Sequence, residues 1–326
     1  MIKIVIDTKG GDKGAATMIK GAALALEKFD ELSVALVGDG EYIAAECKAL
    51  NMPKDRVEII DAPLEITNFD NAADALFNKT ESSMLKGLRT LGEREDLFGI
   101  ISSGNTGILL TGAMRYLSGK ERVRPAMAAV LPAQSGGFTC LVDTGATIDC
   151  TPQMLHHFAR LGAGFMRDTY GIESPKIGLL SNGAEPTKGN KLVKETYPVL
   201  AADESLNFIG NVEGNTALSG VCDVLVCDGF AGNQVLKVTE GTATRIITDV
   251  MKYAHRTGNK DIMALGAHLM SIYDIGSLGG GFILGVEKPV IKTRGNAGES
   301  AVVNTAEMLL NMAHNRAVFD ADRNKV

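Results

Sequence analysis

Three loops rich in Gly, Asn and Ser stand out for their spacing. They are Ile101-Ser102-Ser103-Gly104-Asn105-Thr106-Gly107, Leu180-Ser181-Asn182-Gly183-Ala184-Glu185 and Val226-Cys227-Asp228-Gly229-Phe230-Ala231-Gly232-Asn233. The third follows an apolar run, Val221 to Val226, that reads as a buried strand, and precedes a helix-like segment, Gln234 to Lys252. At such a turn backbone N–H groups converge on an anion, and the helix that follows adds its positive end. Three loops of one design in one chain point to a crevice that handles phosphate. Singly, Gly104, Gly107, Gly229 and Gly232 read as turn residues with positive φ. Asn105 and Asn233 read singly as helix caps.

Composition limits what such a crevice can serve. The chain has 326 residues, 45% apolar and 22% charged, which is globular and large enough for one big domain or two lobes. A net charge of −6 argues against bulk nucleic-acid binding. Trp is absent and Gly numbers 37, so Ala, Val, Ile, Leu and Met must fill the core between tight loops. The five cysteines, Cys47, Cys140, Cys150, Cys222 and Cys227, have no C-x-x-C spacing, and a reduced cytoplasmic protein is expected. Met1 to Asp7 reads as a strand, too short in its apolar run for a signal peptide, and no stretch reaches membrane-spanning length.

The elements that must position the loops alternate in type. Short β-branched runs are expected as strands at Lys3–Asp7, Ser33–Gly38, Val57–Asp61, Gly99–Ser102, Ala126–Pro132, Phe138–Asp143, Lys176–Leu180, Asn207–Gly210, Asp223–Cys227 and Phe282–Val286. Helical spacing runs over Ala15–Phe29, Glu41–Leu50, Asn71–Leu91, Gly107–Leu117, Pro152–Tyr170, Lys188–Ala202, Gln234–Ala254, Asp261–Tyr273 and Ser300–Asn315. The alternation predicts an α/β fold with a mostly parallel sheet and helices on both faces, spanning 1–326 as a single catalytic domain or two lobes. Two helices in succession over about 239–280 predict a protruding helical hairpin. Its stripe of Ile262, Leu265, Leu269 and Ile272 suits a core or dimer contact better than a weak peripheral membrane contact. The tail from Asp320 to Val326 is expected to fray.

Motifs along nearly the whole chain resemble, in order, those of the bacterial PlsX phosphate acyltransferase family. They begin with Asp7-Thr8-Lys9-Gly10-Gly11-Asp12 and Ser82-Ser83-Met84. Ser103-Gly104-Asn105-Thr106-Gly107, Arg124-Pro125, Leu131-Pro132 and Asp143-Thr144-Gly145-Ala146 with Asp149 follow. Lys188-Gly189-Asn190, Asn207 to Gly214, Asp228 to Asn233 and Gly279-Gly280 complete the series. An ordered series of this kind is far more specific than a lone glycine-rich loop. The resemblance implies acyl transfer from acyl carrier protein to inorganic phosphate, giving acyl phosphate for phospholipid synthesis. It further implies an isocitrate dehydrogenase-like or phosphotransacylase-like fold and a homodimer. Three places depart from the pattern: Thr8-Lys9 stand for Ala-Met, Asn182-Gly183-Ala184-Glu185 shortens a loop or shifts its register, and Arg294-Gly295-Asn296-Ala297 replaces His-Gly-Ser-Ser. Arg294-Gly295 is similar to a feature of phosphotransacetylases, so acyl-CoA stands beside acyl carrier protein as donor.

Phosphate near neutral pH is already a nucleophile, so no Ser-His-Asp relay, metal or cofactor is required. Desolvation, orientation and stabilisation of the developing oxyanion remain to be supplied. With the resemblance in hand, Lys188, Asn105 and Asn233 are the expected catalytic residues. The expected phosphate and substrate contacts are Asp7, Gly10, Gly11, Ser103, Gly104, Thr106 and Gly107, then Asn190, Asn211, Asp228, Gly229, Gly232 and Arg294. Lys188 and Arg294 add charge, Arg294 as a fork; Asp228 is expected to orient Lys188 or fix its turn. Cys227, at the end of a buried strand, reads as packing rather than as an acyl-accepting thiolate. His156 and His157 lack metal spacing and read as structural. Besides acyl-CoA phosphotransacylation, a non-catalytic paralogue acting with a thiolase-like partner stays open; a dinucleotide dehydrogenase lacks its G-x-G-x-x-G.

Overall fold

The computed structural model describes residues 1–119, 124–273 and 280–323. The chain divides into two compact units. The first comprises residues 1–125, 164–173 and 276–326, the second residues 126–163 and 174–275.

In the first unit the strands are β1 (Ile2–Asp7), β2 (Leu32–Gly38), β3 (Val57–Asp61), β4 (Leu97–Ser102), β10 (Gly281–Leu284) and β11 (Val290–Lys292). They lie in the order β3-β2-β1-β4-β11-β10. All neighbours are parallel except β10 and β11. The helices are α1 (Gly14–Lys28), α2 (Gly40–Ala49), α3 (Ala72–Asn78), α4 (Ser83–Glu93), α5 (Thr106–Tyr116) and α10 (Glu299–Arg323). On β4, alternation sends Gly99 and Ile100 to opposite faces. A Cβ on Gly99 would lie 2.9 Å from Leu309 Cδ2 of α10, whereas Ile100 Cδ1 lies 3.1 Å from the Cβ position of Gly87 on α4. Helices therefore cover both faces. Met84, Leu85, Leu88 and Leu91 recur at helical spacing and are buried against Val5, Val37 and Ile100.

The second unit holds β5 (Ala126–Pro132), β6 (Phe138–Val142), β7 (Lys176–Ser181), β8 (Asn207–Glu213) and β9 (Val224–Val226), in the order β5-β6-β9-β7-β8. Only the β5–β6 hairpin is antiparallel. A helix that begins in this unit, α6 (Pro152–Tyr170), brings Gly162 against one face; its Cβ position is 2.6 Å from Val224 Cγ1. On the other face Leu141 and Leu225 pack with Val235 and Leu236 of α8 (Gly229–Thr257). The last helices are α7 (Lys191–Ala201) and α9 (Lys260–Tyr273).

Three expectations change. The segment expected as one helix over Asn71–Leu91 is two, because Asn71 caps α3 and Ser82 starts α4 after a bridge to Leu64. The three-residue β11 is too short to show a period, and sequence reading passes over it. The hairpin's first helix starts at Gly229, so α8 grows directly out of the Asp228 loop. It packs on α9, where Leu269, Val238, Ile246 and Tyr273 line an apolar cavity of about 470 Å³. Residues 274–279, which include Gly279 of the Gly279-Gly280 motif and the hairpin's expected end, lie outside the described residues, as do the last three of the tail. No helix among the described residues is long and apolar enough to cross a membrane.

Leu88 is fully buried, its Cδ1 2.8 Å from the Cβ position of Gly112 on α5. Leu88→Ala is expected to cost about 2–5 kcal/mol in chemical denaturation, the usual sum of lost transfer energy and residual cavity.

Candidate active site

In the first unit, three strand-end loops meet around a buried carboxylate. Asp7 ends β1 with no exposed surface. Its Oδ1 accepts from Ser83 Oγ at 2.6 Å and Lys9 N at 3.1 Å, and its Oδ2 accepts from Ser102 Oγ at 2.7 Å. Burial pushes its pKa up to about 6, although the two hydroxyls and the Lys9 N–H favour the anion. Asp7 therefore organises loops; a buried anion of this kind cannot meet phosphate, contrary to the contact expected of it. Gly10, at φ +85°, lets the β1 loop close on the β4 loop, where its Cβ would sit 2.9 Å from Gly104 Cα. A Cβ on Gly11 would come closer still, 2.5 Å from Ser103 Oγ, so both glycines serve the contact between loops. Thr8, one of the family departures, is absorbed in the core, its Oγ1 donating to Val37 O at 3.0 Å.

The third loop follows β11. Thr293 N donates to Ser102 O at 2.9 Å and Asp12 N to Gly295 O at 2.8 Å. Arg294 stands between them, beside the other two loops. Lys292, which sequence reading missed, locks the arrangement: its Nζ donates to Ser103 O at 3.2 Å and to Thr293 O. Burial lowers its pKa to about 8 against the pull of Asp12 and Asp7. The only hint in the sequence was an ionisable residue ending an apolar triplet. Asn105 caps α5, its Oδ1 accepting from Ile108 N at 3.1 Å. That uses the oxygen of the side chain and leaves its amide NH₂ uncommitted, beside the unbonded N–H groups of Thr106 and Gly107 at the helix start.

In the second unit, Asp143 does for the β6 loop what Asp7 does for β1. It accepts from the N–H groups of Met127, Gly145, Ala146 and Thr147 at 2.6–3.2 Å. The α8 loop is seated on this turn. Gly229 N donates to Thr147 O, and a Cβ on Gly232 would fall 1.9 Å from Asp143 O. Asp228 is the N-cap of α8, its Oδ1 accepting from Ala231 N at 2.8 Å. The backbone N–H groups of Gly229, Ala231 and Gly232, expected to cradle phosphate, are thus already bonded within the protein. Asp228 fixes the turn, and the two glycines permit close approach. Asn233 lies in the first turns of α8 rather than at its cap, and its side chain makes no hydrogen bond among the described residues.

The β7 loop carries the remaining candidates. Asn182 Oδ1 accepts from Gly189 N at 2.8 Å, and Asn190 caps α7 through Val193 N at 2.9 Å. Lys188 between them is exposed, and its ammonium has no carboxylate partner among the described residues. Asn211 is placed in β8, not in a loop; its Nδ2 donates to Glu185 O at 2.8 Å, which props the β7 loop. Its Oδ1 is buried without a partner. Cys227 Sγ is buried against Asp143 O at 3.6 Å and its pKa is pushed well up by burial, which suits packing and not nucleophilic attack. His156 pairs with Asp203 at 2.7 Å on the surface of α6. No cluster of three metal-ligating side chains occurs among the described residues.

Glycine-rich loops at the carboxyl ends of mostly parallel strands, with helices on both faces, define an α/β fold of the phosphotransacylase type. A phosphotransacetylase from Streptococcus pyogenes superposes with a TM-score of 0.65 at 17% identity, over 96% of this chain and 94% of that one. The profile of the family described as fatty acid synthesis protein matches residues 2–318. A phosphate acyltransferase of Halothermothrix orenii is 37% identical over 94% of this chain and 93% of its own length. One from Streptococcus pneumoniae is 37% identical over 99% and 98%. The chain belongs to this family, that of the PlsX acyltransferases, and is an acyltransferase.

The clamp makes a signed prediction. Lys292 loses its proton at about 8 when folded and near its ordinary 10.5 when unfolded. Between those values the unfolded chain binds more protons, so stability rises with pH. The difference corresponds to on the order of 3 kcal/mol. Denaturation of the parent against Lys292→Met is expected to show the parent gaining on the variant from pH 8 to 10.5. A constant gap would remove the buried ammonium from the account.

Proposed function

We propose that the chain transfers an acyl group from a thioester donor, foremost acyl carrier protein, to inorganic phosphate, releasing acyl phosphate for phospholipid synthesis. The reading is carried by the full-length match to relatives named phosphate acyltransferase. Phosphate attacks the thioester carbonyl, the C–O bond forms as the C–S bond breaks, and the thiol leaves with a proton. Lys188, an unpaired cation on an exposed loop, draws in phosphate. The free amide groups of Asn105 and Asn233 are the donors offered to the oxyanion or to phosphate oxygens. Arg294 supplies a bidentate fork held in place through Thr293 and Gly295. In this reading the protein works as a cytoplasmic homodimer, with any membrane contact weak and made by the α8–α9 hairpin.

The deciding experiment follows acyl phosphate, trapped with hydroxylamine, with acyl carrier protein and coenzyme A donors in turn. Product with acyl carrier protein supports the proposal. Product with acyl-CoA alone transfers it to the phosphotransacylase reading that Arg294-Gly295 suggests. No product with either donor, together with co-purification of a thiolase-like partner, favours a subunit role.

Two substitutions test the assigned roles. Lys188→Ala is expected to raise the KM for phosphate about tenfold and that for the acyl donor far less. Asn105→Ser keeps a capping oxygen, and so keeps α5, but lacks the amide NH₂. Turnover is expected to fall ~10²-fold with the melting temperature nearly unchanged; normal turnover removes Asn105 from the site.

A further inference from the structure

Lys292 ends β11, and its ammonium lies under loops of the first unit that meet there. An ammonium carries three donors and no acceptor. Two of the donors go to Ser103 O, at 3.2 Å, and to Thr293 O. These carbonyls belong to different strand ends, β4 and β11, which Thr293 N also joins through Ser102 O at 2.9 Å. The β1 loop closes the group. Asp12 N donates to Gly295 O at 2.8 Å, and a Cβ on Gly11 would lie 3.5 Å from the same oxygen. A trans peptide is planar, with its C=O and N–H on opposite sides. Drawing Ser103 O and Thr293 O onto Lys292 therefore turns the N–H edges of Gly104 and Arg294 away from it.

The acidic groups that act on Lys292 are Asp12, in the β1 loop, and Asp7, at the end of β1. Glu65 acts in turn on Asp7. The β4 loop supplies Ser102 and Ser103, with no ionisable side chain, and the β11 loop supplies Arg294. Burial outweighs the two carboxylates and brings the pKa of Lys292 down to about 8. The fold thus holds the neutral amine more firmly than the ammonium, and an apolar side chain of similar length would avoid the cost of the charge. Yet the charge sits beside Ser103, two residues before Asn105, and beside Arg294. Its presence offsets two carbonyl dipoles whose oxygens would otherwise repel an anion at these loops.

Resting on the acyl-transfer reading above, we propose that Lys292 is a positioning residue for phosphate: its ammonium draws the Ser103 and Thr293 carbonyls inward and so holds the start of α5 and the Arg294 loop in the arrangement that captures the anion. Lys292 acts through the two loops and does not itself touch phosphate. The proposal has a consequence that a purely structural lysine lacks. As pH rises through about 8 the ammonium is lost, and folding stability rises because the buried charge is gone. Phosphate capture falls over the same range, because the carbonyls are no longer held by a cation. Stability and phosphate capture move in opposite directions.

The test follows phosphate-dependent thiol release from an acyl thioester between about pH 7 and about pH 9.5. In the parent, kcat/KM for phosphate is expected to fall about tenfold per pH unit above about 8, while kcat/KM for the thioester at saturating phosphate changes less than about twofold. Phosphate itself only gains negative charge over this range, so its own titration does not produce the loss. Lys292→Met is expected to start at least about tenfold lower at pH 7 and to show no such limb. Lys292→Arg keeps a charge at every pH used and is expected to retain phosphate capture at pH 9 better than the parent does. A parent without the limb, a limb that persists in Lys292→Met, or equal losses for phosphate and thioester overturns the proposal. If neither variant folds, the parent's two profiles decide alone. If no donor supports phosphate-dependent release, the transfer reading fails, and calorimetry with inorganic phosphate alone tests Lys292. Binding by the parent about tenfold weaker at pH 9 than at pH 7 supports the assignment; equal binding, or none at either pH, overturns it.

Discussion

Each unit is built around a carboxylate at the end of a strand that is denied water and repaid with hydrogen bonds. Asp7 and Asp143 are both fully buried; Asp7 gathers hydroxyl donors from segments 76 and 95 residues away, and Asp143 gathers N–H donors from its own loop and from Met127 on β5. An ionised carboxyl without such donors would cost several kcal/mol to bury. The loops cannot drift apart without leaving a charge unpaired. That obligation holds Ser102 at the end of β4 directly, and seats the Asp228–Asn233 segment through the Asp143-braced turn, where Gly229 N donates to Thr147 O. In each unit the strand-end loops are thus braced from beneath by a buried carboxylate.

Much of this was legible in the sequence, and the reason differs by level. Strand runs such as Leu32–Gly38, buried at every residue, announce a parallel sheet because both faces are covered. Pro152–Tyr170 is legible to the residue because Thr151 and Pro152 fix its start. β11 was not legible, since three residues cannot display a period, and with it went Lys292. The break between α3 and α4 was hidden because apolar spacing continues through it; the chain stops there so that Ser83 can reach Asp7.

The site residues divide along a similar line. Sequence shows which residue types gather at strand ends but not which of their atoms are already spent. Asp7, Gly10 and Gly11 fall in the right loop, yet they bind the protein to itself. The Gly229–Gly232 turn reads as an anion cradle until Asp228 and Thr147 are seen to occupy its N–H groups. Asn105 and Asn190 each keep one half of an amide free because capping consumes only the oxygen. A cap of Asp would have spent a charge at the same place, and one of Ser would have left no N–H donor.

That last distinction orders the chemistry. A phosphate dianion needs cations and donors, whereas an acyl thioester arm needs neutral donors and acceptors beside apolar walls. The Lys188–Asn190 stretch sets two such groups within three residues: a cation facing solvent, then an amide lining a cavity. The Asp7 loops offer a different mixture, donors at the start of α5 beside Arg294, with Lys292 buried beneath. Placing the cation of that second set under the loops rather than in them has a consequence. Lys292 holds Ser103 and Thr293 by their carbonyls, so its charge tightens the frame while the N–H groups of Thr106 and Gly107 stay available.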